Sequence, residues 1–349
     1  METELASEAA TAHTLEIEAE LNSKFSITQS ELAPLMGVTT QYLGSWIKQN
    51  KQLIKKSGKL HYLAFEGTRK FVLSKLSKYP SKVIALQTLK GGATKTTSCL
   101  NIGIRLNHFG ARVLLIDTDS QGNLSNSLLQ KGESIAEKLK IIDVATEDAK
   151  VQDLIIKIAP GLDLIPSDFD NSSIDLHLSN RVSLQTWFKK SIIDPIKDNY
   201  DFIIVDCNPS LSVINLSIAM GVDEIIIPVN PSEYSYAGMK ATLDEYGNLE
   251  RKFLDSKRSI KYNLLLTLYD QRAVASHHFL TKYATEFGDK MLPDYVRKTN
   301  DIDNSLINGT TAFELKKSFA REDYDALART ILGIRNFEKT PGDSRVVQN

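Results

Sequence analysis

The sequence has little of what would place it in several specialised classes of protein. Its 349 residues include two cysteines, Cys99 and Cys207. Two are too few for a disulfide framework, a zinc site or an iron–sulfur cluster, and their apolar surroundings are typical of reduced core residues. No apolar run approaches the roughly 20 residues of a membrane-spanning helix, and the N-terminal residues lack the apolar segment of a signal peptide. With 42% hydrophobic and 24% charged residues, the composition predicts an ordinary soluble, cytoplasmic protein.

A net charge of −1 conceals a strong segregation of charge along the chain. Residues 1–23 carry six acidic side chains and no Lys or Arg, and we interpret them as an acidic arm, helical in part, that makes dimer contacts. Residues 24–82 carry eleven Lys and Arg against two acids, a net charge of +9. Such a block in a near-neutral chain indicates a nucleic-acid-binding module. The alternative is a solvated lysine-rich face.

The basic block begins with the outline of a helix-turn-helix. Thr28 and Glu31 have the spacing of a capping box and predict a helix to about Met36. Gly37 interrupts it, and Thr39 or the next threonine caps a second helix that runs through residue 47. The segment QLIKKSGKLHYLAF then predicts two short strands, a wing over the phosphate backbone. We therefore predict a winged helix-turn-helix DNA-binding domain over residues 24–82. The second helix supplies its DNA contacts: Thr40, Gln41, Tyr42, Ser45 and Lys48.

From residue 83 onward, apolar strand-like runs alternate with helical stretches. The predicted strands are 83–88, 112–117, 162–166, 202–206, 224–229 and 262–268. This alternation predicts an α/β domain over residues 83–336, a mostly parallel sheet with helices on both faces. Ligands of such sheets bind at the carboxyl ends of the strands. The polar residues 337–349 are expected to form a disordered tail.

A Gly-rich loop follows the first of these strands, in the segment KGGATKTT at residues 90–97. An ordinary P-loop has Gly, four residues, then Gly-Lys-Ser/Thr. Aligning Lys95 and Thr96 with that ending places Thr94 where the second glycine is usual and leaves an additional lysine, Lys90, at the head of the loop. Backbone amides would cradle phosphate oxygens, Lys95 would reach the β and γ phosphates, and the Thr96 hydroxyl would bind Mg²⁺.

Carboxylates end two of the other predicted strands. VLLIDTDSQGN places Asp117 and Asp119 at the end of the second strand, and YDFIIVDCNPS ends in Asp206, the form of a Walker B carboxylate near Mg²⁺. Either group alone could be a helix cap or a loop acid. Together with the Gly-rich loop they predict a nucleotide site.

These motifs resemble the ParA/MinD superfamily of deviant Walker A ATPases, with ATP or ADP and Mg²⁺ as cofactors. LLIDTDSQGN, GLDLIPSDFD, IPVNPSEYSYAGM and LLTLYDQR also look ParA-like, so the resemblance covers roughly residues 83–333. An N-terminal helix-turn-helix is similar to that of the larger plasmid partition ATPases, which repress their own operon. Two positions depart from the family pattern, Ser120 and Asn208, where prolines are usual. We expect Asn208 to be able to hydrogen-bond and to loosen the loop after Asp206.

The resemblance implies a role for each matching residue. Lys90 would reach the phosphates of the partner subunit in a nucleotide-sandwich dimer, and Lys95 those of its own subunit. Asp119 would position or activate the attacking water, while Asp117 and Asp206 would lie near Mg²⁺ through water. The remaining nucleotide contacts implied are Gly91, Gly92, Ala93, Thr94, Thr97, Thr267 and Asp270.

The same resemblance implies the partners. They are a second copy of the chain, nonspecific DNA, an operator and a ParB-like centromere-binding protein, without a membrane. Basic candidates for nonspecific DNA binding are Arg297, Lys298, Lys316, Lys317 and Arg321, each equally a candidate for a solvated charge. The alternatives are a nucleotide-sensing transcriptional regulator and a MinD-like positioning ATPase. The latter normally ends in an amphipathic membrane helix, whereas the tail here is polar.

Overall fold

The computed structural model describes residues 24–50, 54–57, 60–89, 92, 94–129, 134–179, 184–253, 259–307, 310–315 and 318–334. The predictions for the acidic arm, the C-terminal tail, Lys90, Gly91 and Ala93 lie outside the described residues.

The N-terminal module is a helix pair followed by a hairpin and a third helix. Its elements are β1 (Ile27–Thr28), α1 (Gln29–Leu35), α2 (Thr40–Gln49), β2 (Ile54–Ser57), β3 (Leu60–Leu63) and α3 (Phe65–Leu76). The Thr28 N–H and hydroxyl both donate to Glu31 Oε2, at 3.1 and 2.7 Å, at the start of α1. Thr39 Oγ1 accepts the Tyr42 N–H at 3.1 Å and caps α2. Helix α3, which follows the hairpin, is not among the predicted elements.

The rest of the chain alternates strands and helices around one large sheet. The elements are β4 (Lys82–Leu86), α4 (Lys95–His108), β5 (Val113–Asp117), α5 (Asn123–Leu128), α6 (Ile141–Ala145), β6 (Ile156–Ala159), β7 (Leu162–Ile165), α7 (Ile174–Leu178), α8 (Leu184–Trp187), β8 (Phe202–Asp206), α9 (Val213–Gly221), β9 (Glu224–Val229), α10 (Glu233–Phe253), β10 (Tyr262–Leu266), α11 (Val274–Phe287), α12 (Asp301–Ile307) and α13 (Phe319–Leu332). The strand order is β10-β9-β4-β8-β5-β7-β6, and only the pairing of β6 with β7 is antiparallel. The predicted mostly parallel sheet is confirmed, with β6 as an additional edge strand.

Both faces of this sheet are covered, which is why its central strands are continuous apolar runs. Alternate residues of β4 belong to two separate cores. Ile84 and Leu86 pack in one core with residues of α4, α13 and the N-terminal module. Val83 and Ala85 pack in the other with residues of α9, α10 and α11. Helices therefore lie on both faces, as predicted.

The N-terminal module is packed against the sheet domain through the C-terminal end of α4. The Arg69 guanidinium donates to the Gly110 carbonyl and to both carboxylate oxygens of Asp201. The Tyr79 hydroxyl donates to the Phe109 carbonyl at 2.6 Å. Gly110 has φ +76°, and a Cβ there would lie 2.4 Å from the Arg69 nitrogen, so the close approach requires glycine. The two parts therefore share one core on this face of the sheet.

Candidate active site

Three neighbouring strands bring the predicted motifs to one edge of the sheet. In the parallel ladders, Leu86 at the end of β4 is paired with Asp206 at the end of β8, and Asp206 is paired with Asp117 at the end of β5. The Gly-rich loop leaves β4 at this edge and leads into α4. The loop and the two strand-end carboxylates are therefore neighbours in the fold.

Helix α4 begins with Lys95, which is buried to 7% exposure. Burial lowers the pKa of Lys95, and the Asp206 carboxylate opposes that effect. The preceding Thr94 has φ +59°, in the left-handed region that β-branched residues rarely adopt, at the position where a glycine is usual. Its hydroxyl oxygen is buried without a hydrogen-bond partner among the described residues. A buried cation at a helix N-terminus makes an anion site.

The loop is tied to the ends of β9 and β10 by Asn230, a residue that the sequence reasoning missed. Asn230 Nδ2 donates to the Gly92 carbonyl at 3.1 Å, and Asn230 Oδ1 accepts the Thr267 hydroxyl at 2.8 Å. Thr267, a predicted nucleotide contact, is fully buried and supports Asn230. Asp270 follows β10, and its carboxylate accepts the Arg272 N–H at 3.0 Å. The only sequence signal for Asn230 was its place in the segment IPVNPSE.

Asp117 and Asp206 are both fully buried, yet their surroundings differ. Asp117 accepts three hydrogen bonds, from the Asp119 N–H and from the N–H and hydroxyl of Ser125. Burial raises the pKa of Asp117 to about 7. Neither carboxylate oxygen of Asp206 has a hydrogen-bond partner of normal geometry among the described residues. Burial and the Asp117 carboxylate raise its pKa well above the ordinary value, while the Thr96 hydroxyl opposes the rise.

The arrangement around Asp206 fits a magnesium ion. Among the residues that the structure describes, no group of three or more His, Cys, Asp or Glu side chains could hold a metal by itself. Mg²⁺, however, is commonly held by one or two carboxylates together with waters and substrate phosphates. A buried carboxylate that has no hydrogen bond of normal geometry among the described residues, beside the Thr96 hydroxyl and the Lys95 ammonium, matches that chemistry.

Asp119 lies in the loop between β5 and α5. Its side chain is half-buried and accepts the Gln121 N–H at 3.0 Å. Its carbonyl accepts the Gly122 N–H at 2.9 Å and the Ser167 hydroxyl at 2.7 Å. The backbone that carries the Asp119 carboxylate is therefore fixed by hydrogen bonds to Gly122 and to Ser167.

The loop after β8 differs from the expectation. Asn208 does not loosen it, because Asn208 Oδ1 accepts the Ser210 hydroxyl at 2.7 Å and Asn215 Nδ2 at 2.6 Å. Asn215 Nδ2 also donates to the Asn208 and Ser210 carbonyls. The amide thus supplies hydrogen bonds that proline could not, and these tie the loop to α9.

Helix α2 presents the predicted DNA contacts to solvent. All five side chains are exposed: Thr40, Gln41, Tyr42, Ser45 and Lys48. Lys75 of α3 lies beside them, since its Nζ is 4.5 Å from the Tyr42 ring centre and donates to the Tyr42 hydroxyl at 3.0 Å. The surface of α2 is therefore extended by a lysine from a helix that was not predicted.

Two basic candidates for nonspecific DNA binding were wrong. Arg297 is buried to 9% exposure and pairs with Asp323 and Glu322. Arg321 donates to two carbonyls and pairs with Glu31 of α1. Both guanidiniums are therefore occupied by structural contacts. Lys298 is exposed, while Lys316 and Lys317 lie outside the described residues.

None of the helices in the described residues has the length and hydrophobicity of a membrane span.

Several known proteins have sequences similar to part of this chain. A family profile described as "AAA domain" matches residues 81–261. The chromosome partitioning protein ParA of Caulobacter vibrioides is 31% identical over 62% of this chain and 80% of its own length. The chromosome-partitioning ATPase Soj of Treponema pallidum is 28% identical over 72% of this chain and 97% of its own length.

Solved structures show the same fold. McdA of Cyanothece in complex with ATP has a TM-score of 0.64 at 19% identity, covering 74% of this chain and 98% of McdA. Cobyrinic acid a,c-diamide synthase of Mycobacterium smegmatis with ADP and magnesium has a TM-score of 0.60 at 25% identity, covering 72% and 94%. Together with the buried lysine at the start of α4 and the strand-end carboxylates, these relationships show that the chain belongs to the ParA/Soj family of P-loop ATPases.

Proposed function

We propose that this chain is a DNA-partition ATPase that uses ATP and Mg²⁺. The observation that carries the proposal is the fully buried Asp206 carboxylate, which lies beside Lys95 and Thr96 at the start of α4 and has no hydrogen bond of normal geometry among the described residues. A buried carboxylate with incomplete hydrogen bonding is costly in a folded protein. It is accounted for when a cation occupies the site. Family membership supports the same conclusion, and relatives of this fold contain ATP, ADP and magnesium.

The residues divide the work between binding and turnover. Lys95 and the loop amides would hold the phosphates, with further contacts from Thr97, Gly91 and Ala93 as the sequence predicts. Thr96 would coordinate Mg²⁺, and Asp206 and Asp117 would hold its waters. Bound Mg²⁺ would neutralise charge on the phosphates. Asp119, on its doubly held backbone, would orient the attacking water.

The proposed cycle is the one that the resemblance to ParA-type ATPases implies. ATP would bring two copies together, with Lys90 reaching the phosphates of the partner subunit. The dimer would bind DNA without sequence preference, and a ParB-like centromere-binding protein would stimulate hydrolysis and release. The exposed surface of α2 supports a second activity, binding of an operator by the N-terminal module, because its exposed side chains are polar and a lysine of α3 lies beside them.

ATP turnover with and without nonspecific DNA and a centromere-bound partner tests the proposal. Nonspecific DNA and the partner together should stimulate ATP turnover by the wild-type protein. A regulator that only senses nucleotide should show no such stimulation. Lys95→Ala should lose nucleotide binding. Lys82→Ala, which removes a half-exposed lysine paired with Glu224, is the matched control and should behave as the wild type. Wild-type ATP affinity in Lys95→Ala would refute the site.

Asp119→Ala separates binding from hydrolysis. The variant should bind ATP and remain on DNA after the partner is added, with turnover lower by on the order of 10²–10⁴-fold. Release of this variant from DNA at the wild-type rate would mean that a residue other than Asp119 holds the attacking water.

For the operator activity, Gln41→Ala with Ser45→Ala should weaken discrimination between operator and random DNA more than total affinity. Equal loss on both DNAs in gel shifts would argue against base contacts by α2.

A further inference from the structure

A closed ring of hydrogen bonds surrounds the backbone of Asp119. Asp117 Oδ1 accepts the Asp119 N–H at 3.1 Å, and Asp117 Oδ2 accepts the Ser125 hydroxyl at 2.7 Å. Ser125 Oγ accepts the Ser167 N–H at 2.9 Å, and the Ser167 hydroxyl donates to the Asp119 carbonyl at 2.7 Å. Both backbone polar groups of Asp119 are thereby fixed by members of one ring.

The Ser167 hydroxyl can donate its hydrogen bond to only one of its two neighbours. Asn171 Oδ1 accepts the Ile142 N–H at 3.1 Å, which orients the amide so that its Nδ2 donates to Ser167 Oγ at 2.8 Å. A hydroxyl has one proton. Because Asn171 already donates to this oxygen, the Ser167 proton points to the Asp119 carbonyl.

Packing leaves the ring little freedom. Ser125 and Ser167 are both fully buried. Gly122, which follows Asp119 in the same loop, has φ +61°, and a Cβ there would lie 2.6 Å from the Ser167 carbonyl oxygen. The two segments therefore touch through their backbones, and the Asp119 loop is seated directly on Ser167.

We propose that Ser167 is a positioning residue for ATP hydrolysis, which fixes the backbone of Asp119 and so the direction of its carboxylate. The inference rests on the proposed function, in which Asp119 orients the attacking water. Small displacements of a reacting group lower turnover strongly while leaving binding intact. Ser167 contributes through Asp119 and not through contact with nucleotide.

The test compares Ser167→Ala with Ser217→Ala by single-turnover ATP hydrolysis, binding of a fluorescent ATP analogue and thermal unfolding. Ser217 is a matched control, since it is also fully buried, donates to the Leu184 carbonyl at 2.6 Å and accepts the Phe188 N–H at 3.0 Å. Ser167→Ala should lower the hydrolysis rate by about 10–100-fold with ATP affinity changed less than about twofold. Ser217→Ala should lose comparable thermal stability and keep the wild-type rate.

The outcomes separate this inference from the proposed function. A wild-type protein without ATPase activity would refute the proposed function itself. An active wild type, an inactive Asp119→Ala and a fully active Ser167→Ala would overturn only the role of Ser167. An equal loss of rate in Ser217→Ala would also overturn it. Should Ser167→Ala fail to fold, Asn171→Ala decides: the rate should fall in the same direction at unchanged ATP affinity, and a wild-type rate would overturn the inference.

Discussion

The loops that follow β5 and β8 begin from equivalent positions and are built in opposite ways. Asp117 and Asp206 are register partners at the ends of adjacent strands, and both are fully buried. The β5 loop surrounds its carboxylate with three donors from the chain. The β8 loop directs its hydrogen bonds to Asn208 and leaves Asp206 with none of normal geometry among the described residues. The chain itself supplies hydrogen bonds to Asp117, whereas Asp206 is left to interact with a ligand, although in the proposed site both carboxylates would hold waters of Mg²⁺.

The largest effect that distinguishes them should come from Asp206→Asn. Loss of this charge should lower ATP turnover by on the order of 10²–10³-fold, as for the loss of one electrostatic contact in a preorganised site. The free energy of unfolding without nucleotide should not fall, because the substitution removes a buried carboxylate that has no hydrogen bond of normal geometry among the described residues. Steady-state kinetics and urea denaturation measure both quantities. An Asp206→Asn protein that is destabilised but fully active would contradict the assignment of Asp206 to ligand binding.

Asp117→Asn, unlike Asp206→Asn, should lower the stability of the nucleotide-free protein. An amide cannot accept all three hydrogen bonds that reach the carboxylate, so at least one buried donor of Ser125 or Asp119 loses its partner. The cost should be about 1–3 kcal/mol of unfolding free energy. Urea denaturation of the nucleotide-free protein, beside Asp206→Asn, is the direct comparison. Equal stability of the two variants would mean that the donors around Asp117 contribute nothing specific.

The same contrast shows why only part of the site could be predicted. The strands were recognisable because each is a continuous apolar run ending in a polar residue, and their parallel order places those residues together. The short edge strand β6 was missed because it contains Lys157 and is only partly buried. Helix α3 was missed because Gly67 interrupts the helical signal in its first turn.

Side-chain partners were less predictable than strand ends. Asn230 meets Gly92 across 138 positions, and Ser167 meets Asp119 across 48. Such contacts depend on how strands and loops are arranged in space, and no local pattern records them. For the same reason Arg297 resembled a surface charge in the sequence, although its partner Asp323 lies on α13.

The pH dependence of stability should sharpen the comparison further. Burial raises the pKa of Asp117 from 3.8 to about 7. Between about pH 4 and 7 the folded protein therefore holds a proton that the unfolded chain releases, and stability should fall as the pH rises. The slope for one proton is roughly 1.4 kcal/mol per pH unit. Urea denaturation from pH 5 to 8 should show a shallower slope for Asp117→Asn, and an unchanged slope would contradict the assignment.

The smallest effect should come from Thr94→Gly, on the loop that faces Asp206. Thr94 combines φ +59° with a buried hydroxyl that has no partner among the described residues. Glycine removes both, so the nucleotide-free protein should gain about 1 kcal/mol of stability. Glu147→Gly is the control, because Glu147 is exposed, distant in sequence from the loop and also at positive φ, +68°. If the Thr94 hydroxyl is reserved for the phosphates, only Thr94→Gly should also weaken ATP binding. A gain in stability with unchanged ATP affinity would instead mean that Thr94 is a strained residue without a role in ATP binding. Asp206 would then interact with the ligand without help from Thr94.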